Sequence, residues 1–318
     1  GALTTTPGTF NRFVGQARTT TELALAPNPS QLSDVDARIK GVCDGRLTLT
    51  TATPVTTADV TGAGTLYFTP YLGNQIAAYT GTVWVVATFA EMSIAVPAVA
   101  TQVYDVFYDF NDGAPVLVLT AWTNDTTRAT ALTTQEGVLV KSGDTQQRYL
   151  GTVRTIAASQ LNDAAAYRHV WNYYNRVDRL LKAPLETANS WNNNAATWQQ
   201  ANSNTANQLD IVNGVAEDMI SVEVQGLVTN SAGGALSGVG VGVNVTNAAT
   251  SGGYFSQSAN GAAGIFNPLV ARYSAIPAIG RTFYAWVEFA DATITTSFYG
   301  DNASPTLYQS GIQGRWRA

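Results

Sequence analysis

Short stretches in which apolar and polar residues alternate, broken by turn residues every eight to twelve positions, run through this chain and restrict it to an all-β class of fold. Gly45-Arg46-Leu47-Thr48-Leu49-Thr50 alternates at period two. Residues 65–70, 75–79 and 83–86 come next, the last two joined by a turn at Thr80-Gly81. Residues 103–108 and 115–120 flank Asn111-Asp112-Gly113, a strong hairpin signal. With residues 137–140 and 148–153 they complete a first series over 41–158, free of any helical pattern. Such a series predicts an antiparallel sandwich or barrel.

A second series begins at Gln208 and takes in Leu209-Asp210-Ile211-Val212, residues 220–225, the alternating Gly238-Val239-Gly240-Val241-Gly242-Val243-Asn244-Val245, and residues 283–289 and 292–299. It predicts a jelly-roll-like domain over 205–318, closed by a terminal strand around Trp316. Between the series, Tyr167, Val170, Trp171, Tyr174, Val177 and Leu181 recur at spacings of three and four. That spacing predicts an amphipathic helix within a linker of residues 159–204, capped by Asn162 or Asp163. Residues 1–40, interrupted by Pro7, Pro27 and Pro29, read as an N-terminal arm that docks on a partner. The expected fold is therefore mainly β: two antiparallel β-sandwich or jelly-roll-like domains joined by a short helix-containing linker.

Composition narrows the functional classes. The 318 residues are 45% hydrophobic but only 12% charged, about half the usual share, and about 40 threonines take the place of charge. Disorder requires low hydrophobicity and high net charge, and this chain has neither. A net charge of −5 and only three lysines, Lys40, Lys141 and Lys182, argue against a nucleic-acid partner, which would demand a basic face. Cys43 is the sole cysteine, so no internal disulfide forms, and it reads as a small buried apolar residue. Residues 1–6 lack the basic start and apolar run of a signal peptide, and the longest apolar stretches are strand-length. The expectation is a protein made in a reducing compartment, with no membrane insertion.

Several patterns invite a chemical reading. The alternating glycines at 238–242 lack the strand-turn-helix setting of a nucleotide loop and instead describe a strand with one side-chain-free face. Asp109, Asn111 and Asp112 hint at a calcium loop, but Thr120 stands where a bidentate Glu is needed, and the hairpin explains the cluster. His169 is the sole histidine, with no Gly-x-Ser-x-Gly elbow to serve, and reads as a solvated or edge-packed residue. Glu217, Asp218, Glu223, Glu288 and Asp291 could supply a carboxylate pair for glycan cleavage. Glu217-Asp218 reads as a loop, however, and Glu223 and Glu288 as outward positions on their strands. No catalytic, cofactor or metal site is expected.

Thr53-Pro54-Val55-Thr56-Thr57-Ala58-Asp59-Val60, Leu66-Tyr67-Phe68-Thr69-Pro70-Tyr71, Trp122-Thr123-Asn124-Asp125-Thr126-Thr127-Arg128-Ala129-Thr130 and Trp171-Asn172-Tyr173-Tyr174-Asn175-Arg176-Val177 resemble blocks in a family of uncharacterised virion structural proteins of tailed bacteriophages. The resemblance runs from about residue 45 to the end and brings no catalytic residues with it. It implies a non-enzymatic protein on the tail or head surface of a virion, made in the host cytoplasm. On this reading the protein is a fibre or receptor-binding protein anchored to other virion proteins through residues 1–40. A head fibre or capsid decoration protein, and a tail-associated glycan depolymerase, are the alternatives. The family type, the aromatic stripe and the glycine-faced strand together point to a homotrimer. Its subunit contacts are expected at Tyr167, Val170, Trp171 and Tyr174 and at Val239, Val241 and Val243. A host surface glycan or protein is expected to meet loops at Asn192, Asn193 and Asn194 and at Tyr299 and Asn302.

Overall fold

The computed structural model describes residues 15–19, 22–25, 39–250, 253, 256–259, 262–301 and 307–318. The expected arm lies largely outside the described residues; within it, β1 (Gly15–Thr19) and β2 (Glu22–Leu25) pair as an antiparallel ribbon. The chain then forms β3 (Gly45–Thr48), β4 (Val60–Ala63), β5 (Thr65–Pro70), β6 (Gln75–Tyr79), β7 (Trp84–Thr88) and β8 (Met92–Ala95). β9 (Val103–Asp109) and β10 (Val116–Ala121) make the expected hairpin around Asn111-Asp112-Gly113. Beyond it lie β11 (Leu132–Gln135), β12 (Val138–Lys141) and the 14-residue β13 (Asp144–Ala157). Next come the short β14 (Gln160–Ala164), β15 (Tyr167–Arg168), β16 (Val170–Asn172), β17 (Asp178–Lys182), β18 (Trp191–Asn193) and β19 (Gln199–Gln200). The second series consists of β20 (Gln208–Asn213), β21 (Ile220–Asn230), β22 (Leu236–Val243), β23 (Ser256–Ala259), β24 (Asn267–Ala275), β25 (Gly280–Ala290), β26 (Thr296–Tyr299) and β27 (Gly311–Arg317). The protein is mainly β, in several antiparallel sheets, as the sequence predicts.

The expected helix over 159–182 is absent, and its stripe of apolar residues has another origin. β14 to β17 are two to five residues long and separated by bends, with Asn175 in the left-handed region at φ 54°. Val170 and Trp171 are adjacent on β16 yet bury into different cores, Val170 with Leu47, Leu150 and Leu161 and Trp171 with Tyr149, Leu209 and Val222. Spacings of three and four thus arise from strand reversals and from a strand buried on both faces. The same segment is also tied to the second series. β15 pairs in parallel with β20, and β17 pairs with β27, so residues 167–182 are hydrogen-bonded into sheets shared with residues 208–317.

The packing has three layers at its centre. β9 and β13 pair in the middle layer. On one side Tyr104, Val106, Tyr108, Leu150 and Val153 meet Leu47, Leu66 and Phe68 of the β3-β5-β8 sheet. On the other, Val103, Phe107 and Tyr149 join a core with Leu209, Val222, Trp286, Phe298 and Trp316. This explains why residues 103–108 are buried without interruption. The second core lies between the large sheet, which runs β9-β13-β14-β15-β20-β25-β22, and a six-stranded sheet, β17-β27-β21-β26-β18 with β24 on the other edge of β21.

Charges enter this interior in pairs. Asp105, on the middle layer, accepts from Arg128 Nε at 2.7 Å and from Thr152 Oγ1 at 2.7 Å, while Arg128 also lies over the Trp122 ring at 4.5 Å. Arg154 donates twice to Asp125, at 2.9 and 3.0 Å. Asp163 accepts from both Arg168 and Arg179, at 2.9 and 2.8 Å. Buried Arg148 donates to the Ala77 carbonyl at 2.7 Å and lies 4.6 Å from the Tyr174 ring, holding the β6–β7 hairpin on the middle layer.

Two glycines report how tightly the layers close. A Cβ at Gly151 of β13 would stand 2.1 Å from the Trp171 carbonyl and 2.9 Å from Leu47 Cδ1. Gly137 has φ +89° and open space around it. Gly151→Ala therefore forces apart backbone and core and costs about 3 kcal/mol of unfolding free energy, whereas Gly137→Ala costs only about 1 kcal/mol for its left-handed backbone. Urea denaturation of both variants checks the ordering; equal losses would contradict this packing.

Candidate functional site

The residues expected to form subunit contacts are largely spent inside the chain. Val170, Trp171, Val239 and Val241 are buried in the two cores, and Tyr174 and Val243 are half-buried against them. Tyr167 packs on His169 with ring centroids 5.9 Å apart. The glycine face of β22 is covered by the chain itself: a Cβ at Gly242 would stand 2.3 Å from the Val245 carbonyl, and one at Gly240 would stand 2.7 Å from Ala249 Cβ. A close approach is there, as a side-chain-free strand predicts, but a loop of the same chain makes it. These valines and Trp171 offer no surface to a second subunit.

Glu288 departs from the outward position expected of it. It shares a face of β25 with Tyr284 and Trp286, and that face points at the six-stranded sheet. Its carboxylate, fully buried, accepts from Trp191 Nε1 at 2.8 Å, Gln199 Nε2 at 3.0 Å and Asn193 Nδ2 at 3.4 Å. Burial outweighs these donors and pushes its pKa up to about 7. Glu186, in the same polar segment, accepts from Asn207 Nδ2 at 2.9 Å, Asn204 Nδ2 at 3.1 Å and the Ala188 N–H at 3.1 Å. Burial works against its ionisation too, but here the three donors win and hold it below the usual carboxylate range. Residues 186–207 are thus a strap fastened at two carboxylates. Asn193 lies inside it, while Asn192 and Asn194 remain exposed.

His169 is likewise buried rather than solvated, with Nε2 3.3 Å from Asp210 Oδ1. Asp210 also accepts from Arg281 at 2.7 Å; burial works to raise its pKa, and its His169 and Arg281 neighbours more than offset that and hold it low. The remaining carboxylates expected for glycan cleavage are dispersed. Arg176 pairs with both Glu217, at 2.7 Å, and Asp218, and Arg272 pairs with Glu223 at 2.7 Å. Asp291 caps its own turn by accepting from the Thr293 N–H at 2.9 Å and hydroxyl at 2.8 Å. The Asp109 oxygens serve the hairpin turn and Gln147. Cys43 is buried, and burial pushes its thiol up to about 11, which makes it a poor nucleophile. Among the described residues no group of three His, Cys, Asp or Glu side chains is arranged to hold a metal, and no helix is long and apolar enough to cross a membrane.

What the structure does gather is the outer face of the six-stranded sheet. Ser221, Glu223, Gln225 and Leu227 alternate outward along β21, opposite the buried Val222, Val224 and Val228. Gln313 and Arg315 of β27 and Leu180 and Lys182 of β17 extend that face, and with Leu185 they line a shallow groove across the three strands. Gly311 leaves its floor open, with nothing near a built Cβ. Beyond the groove the same sheet face carries Leu227, which pairs with Tyr299 of β26. There the Tyr299 ring lies 5.1 Å from Phe266 and 5.9 Å from Tyr308, and its hydroxyl is 3.1 Å from Thr229 Oγ1. Asn192 sits one strand further on, accepting from Ser297 Oγ at 2.8 Å. Two residues expected to face a ligand, Asn192 and Tyr299, therefore share this face; Asn302 lies outside the described residues.

No protein-family model matches the chain. No curated protein matches it either. Among solved structures, the insecticidal delta-endotoxin Cry8Ea1 from Bacillus thuringiensis is 9% identical with a TM-score of 0.24, over 96% of this chain and 59% of the toxin. A Cry1Da tryptic core variant from the same organism gives 9% and 0.18, over 75% and 48%. The mosquito-larvicidal Cry4Aa toxin gives 8% and 0.19, over 80% and 48%. The chain spans about half to three-fifths of the length of these toxins, and likeness at this level carries no information about function.

The strap makes a pH dependence. Glu288 ionises near 7 in the folded chain and near the ordinary 4.5 in the unfolded chain. Its contribution is thus fully present below about 4.5 and is lost as pH rises to about 7, a change of roughly 3 kcal/mol at 1.36 kcal/mol per unit. Glu288→Gln removes this titration. Urea unfolding from pH 4.5 to 8 is expected to show wild type losing stability relative to the variant across that window, and a constant difference would rule out the buried carboxylate.

Proposed function

We propose that this chain is a non-enzymatic structural protein of a tailed-phage virion, of fibre or receptor-binding type, that presents the outer face of its six-stranded sheet to a ligand. The observation that carries this reading is where the blocks resembling the phage virion family fall. The Thr53–Val60 block accepts from Arg46 through the Pro54 carbonyl at 3.1 Å and meets Arg179 through Thr56 at 3.3 Å. The Trp122–Thr130 block supplies Asp125 to Arg154 and Arg128 to Asp105. In the Trp171–Val177 block, Asn175 donates to the carbonyls of Cys43 and Gly45 at 2.7 and 3.1 Å. The Leu66–Tyr71 block is the central strand of the β3-β5-β8 sheet. Every block does framework work, as expected where a family shares a scaffold and not a reaction.

The distribution of charge supports the same reading. An acid–base pair has to face a common cleft to act on a glycan. Here Asp105, Asp163, Asp210, Glu186 and Glu288 are buried and held by internal donors, Glu217 and Asp218 are both paired to Arg176, and Glu223 is paired to Arg272. The homotrimer stays part of the proposal with its contacts moved off the buried valines and Trp171 to surfaces that remain exposed.

Immunogold labelling of particles with antibody against the whole folded chain tests the location. Label on the tail supports a fibre or receptor-binding role, label over the head transfers the protein to a head fibre or decoration, and unlabelled particles that lack the chain on a stained blot overturn the virion reading. Light scattering of the purified chain is expected to give about three times 33.6 kDa, and a mass near 33.6 kDa at micromolar concentration removes the trimer.

A further inference from the structure

We infer that the outer face along β21, from the groove at Leu180 and Arg315 to the ring cluster of Phe266, Tyr299 and Tyr308 beyond it, binds an extended neutral oligosaccharide. The inference rests on the receptor-binding reading and names the ligand class of that same face. Four observations lead to it. The outward positions Ser221 to Leu227 run over seven residues of strand, about 20 Å, so an occupant that covers this face is elongated. Its middle is mainly polar and carries little net charge: Gln225 and Gln313 are exposed on neighbouring strands, each offering a donor and an acceptor, Glu223 is paired to Arg272 at 2.7 Å, and Lys182 adds a single cation at the wall. Gly311 keeps the floor free of side chains, so a ring can lie close to the backbone. At the far end Phe266 is 54% exposed beside Tyr299, the Thr229 hydroxyl meets that of Tyr299, and the bonded pair Ser297 and Asn192 lies on the neighbouring strands of the same face.

A sugar chain has both features such a face recognises, apolar C–H faces that stack on rings and hydroxyls that hydrogen-bond to amides. Other occupants fit less well. A protein interface requires an apolar core with polar groups at its rim, whereas here Leu180 and Leu185 form the walls and glutamines the centre. A peptide added as a strand requires a free edge, but the groove crosses the face of the sheet, and at the β17 edge the Leu180 carbonyl already accepts from Arg168 at 3.0 Å. An acidic polysaccharide would need a row of cations along the whole length, whereas Arg315 and Arg272 are paired with Asp178 and Glu223, which leaves Lys182 as a single point of positive charge.

The test is a glycan array probed with the full-length chain, followed by calorimetric titration of the best neutral tetrasaccharide and of its disaccharide. Neutral glycans are expected to be retained, with the tetrasaccharide binding at least tenfold tighter than the disaccharide. Tyr299→Ala is expected to weaken binding tenfold or more, and Tyr299→Phe, which keeps the ring, less than threefold. Gly311→Leu fills open space, so the variant folds with an unchanged melting temperature and loses binding at least tenfold. Retention of acidic glycans or peptides only, no retained glycan, or full affinity in Gly311→Leu would overturn the site. A chain found on virions that binds no neutral glycan sinks this inference alone; a glycan-binding chain missing from virions sinks the virion reading and leaves the groove standing.

Discussion

Strands β9 and β13 are buried on both faces, and the rest of the molecule is arranged around that constraint. A strand at a surface can turn its polar residues to water; these cannot. Asp105, Arg148, Thr152 and Arg154 lie on or between the cores, and each has been given a partner from elsewhere in the chain. An ion left alone in such a place costs several kcal/mol, so the partners are as necessary as the core itself. Loops that look irregular, at residues 53–60 and 122–130, owe their course to this demand. They deliver one carbonyl, carboxylate or guanidinium to a fixed address in the interior.

The same logic governs the Asn- and Gln-rich strap. Its amides look like ligand-binding groups when only their surroundings in sequence are known. In the folded chain, four of them, on Asn193, Gln199, Asn204 and Asn207, are consumed by Glu186 and Glu288. The two carboxylates also show that like surroundings need not give like ionisation. With three close donors each, one is pushed up and the other held down, because Glu288 is buried more deeply.

Much of the fold was legible from alternation and turns. The hairpin at Asn111-Asp112-Gly113, the turn at Thr80-Gly81 and the strands β20, β21, β22, β25 and β27 lie where alternation and turns place them, whereas β23 and β24 are not among the expected strands. Residues 159–182 misled for a physical reason: short strands buried on two faces carry no periodicity of their own, and bends between them mimic a helical spacing. Glu288 misled similarly, since Phe283-Tyr284-Ala285-Trp286-Val287-Glu288-Phe289 is apolar at nearly every position and gives no sign of which parity faces out. Of the candidate site, Asn192 and Tyr299 were within reach of sequence reasoning as exposed polar and aromatic residues. Gln225, Gln313 and Gly311 were not, because only the register of β21 with β27 sets them side by side.

The pairing of β17 with β27 joins Asp178–Lys182 to residues 313–317, about 130 residues further along the chain. A ribosome making this protein therefore leaves the six-stranded sheet open at that edge until β27 has emerged. Meanwhile Leu181, Val222 and Val224 wait without their cover from Ile312 and Trp316. Sheets closed by such distant partners form slowly, because a long loop must be ordered before any contact rewards it. Closure of this sheet is thus a late event, and its unfinished state carries an open apolar edge that chaperones would have reason to cover.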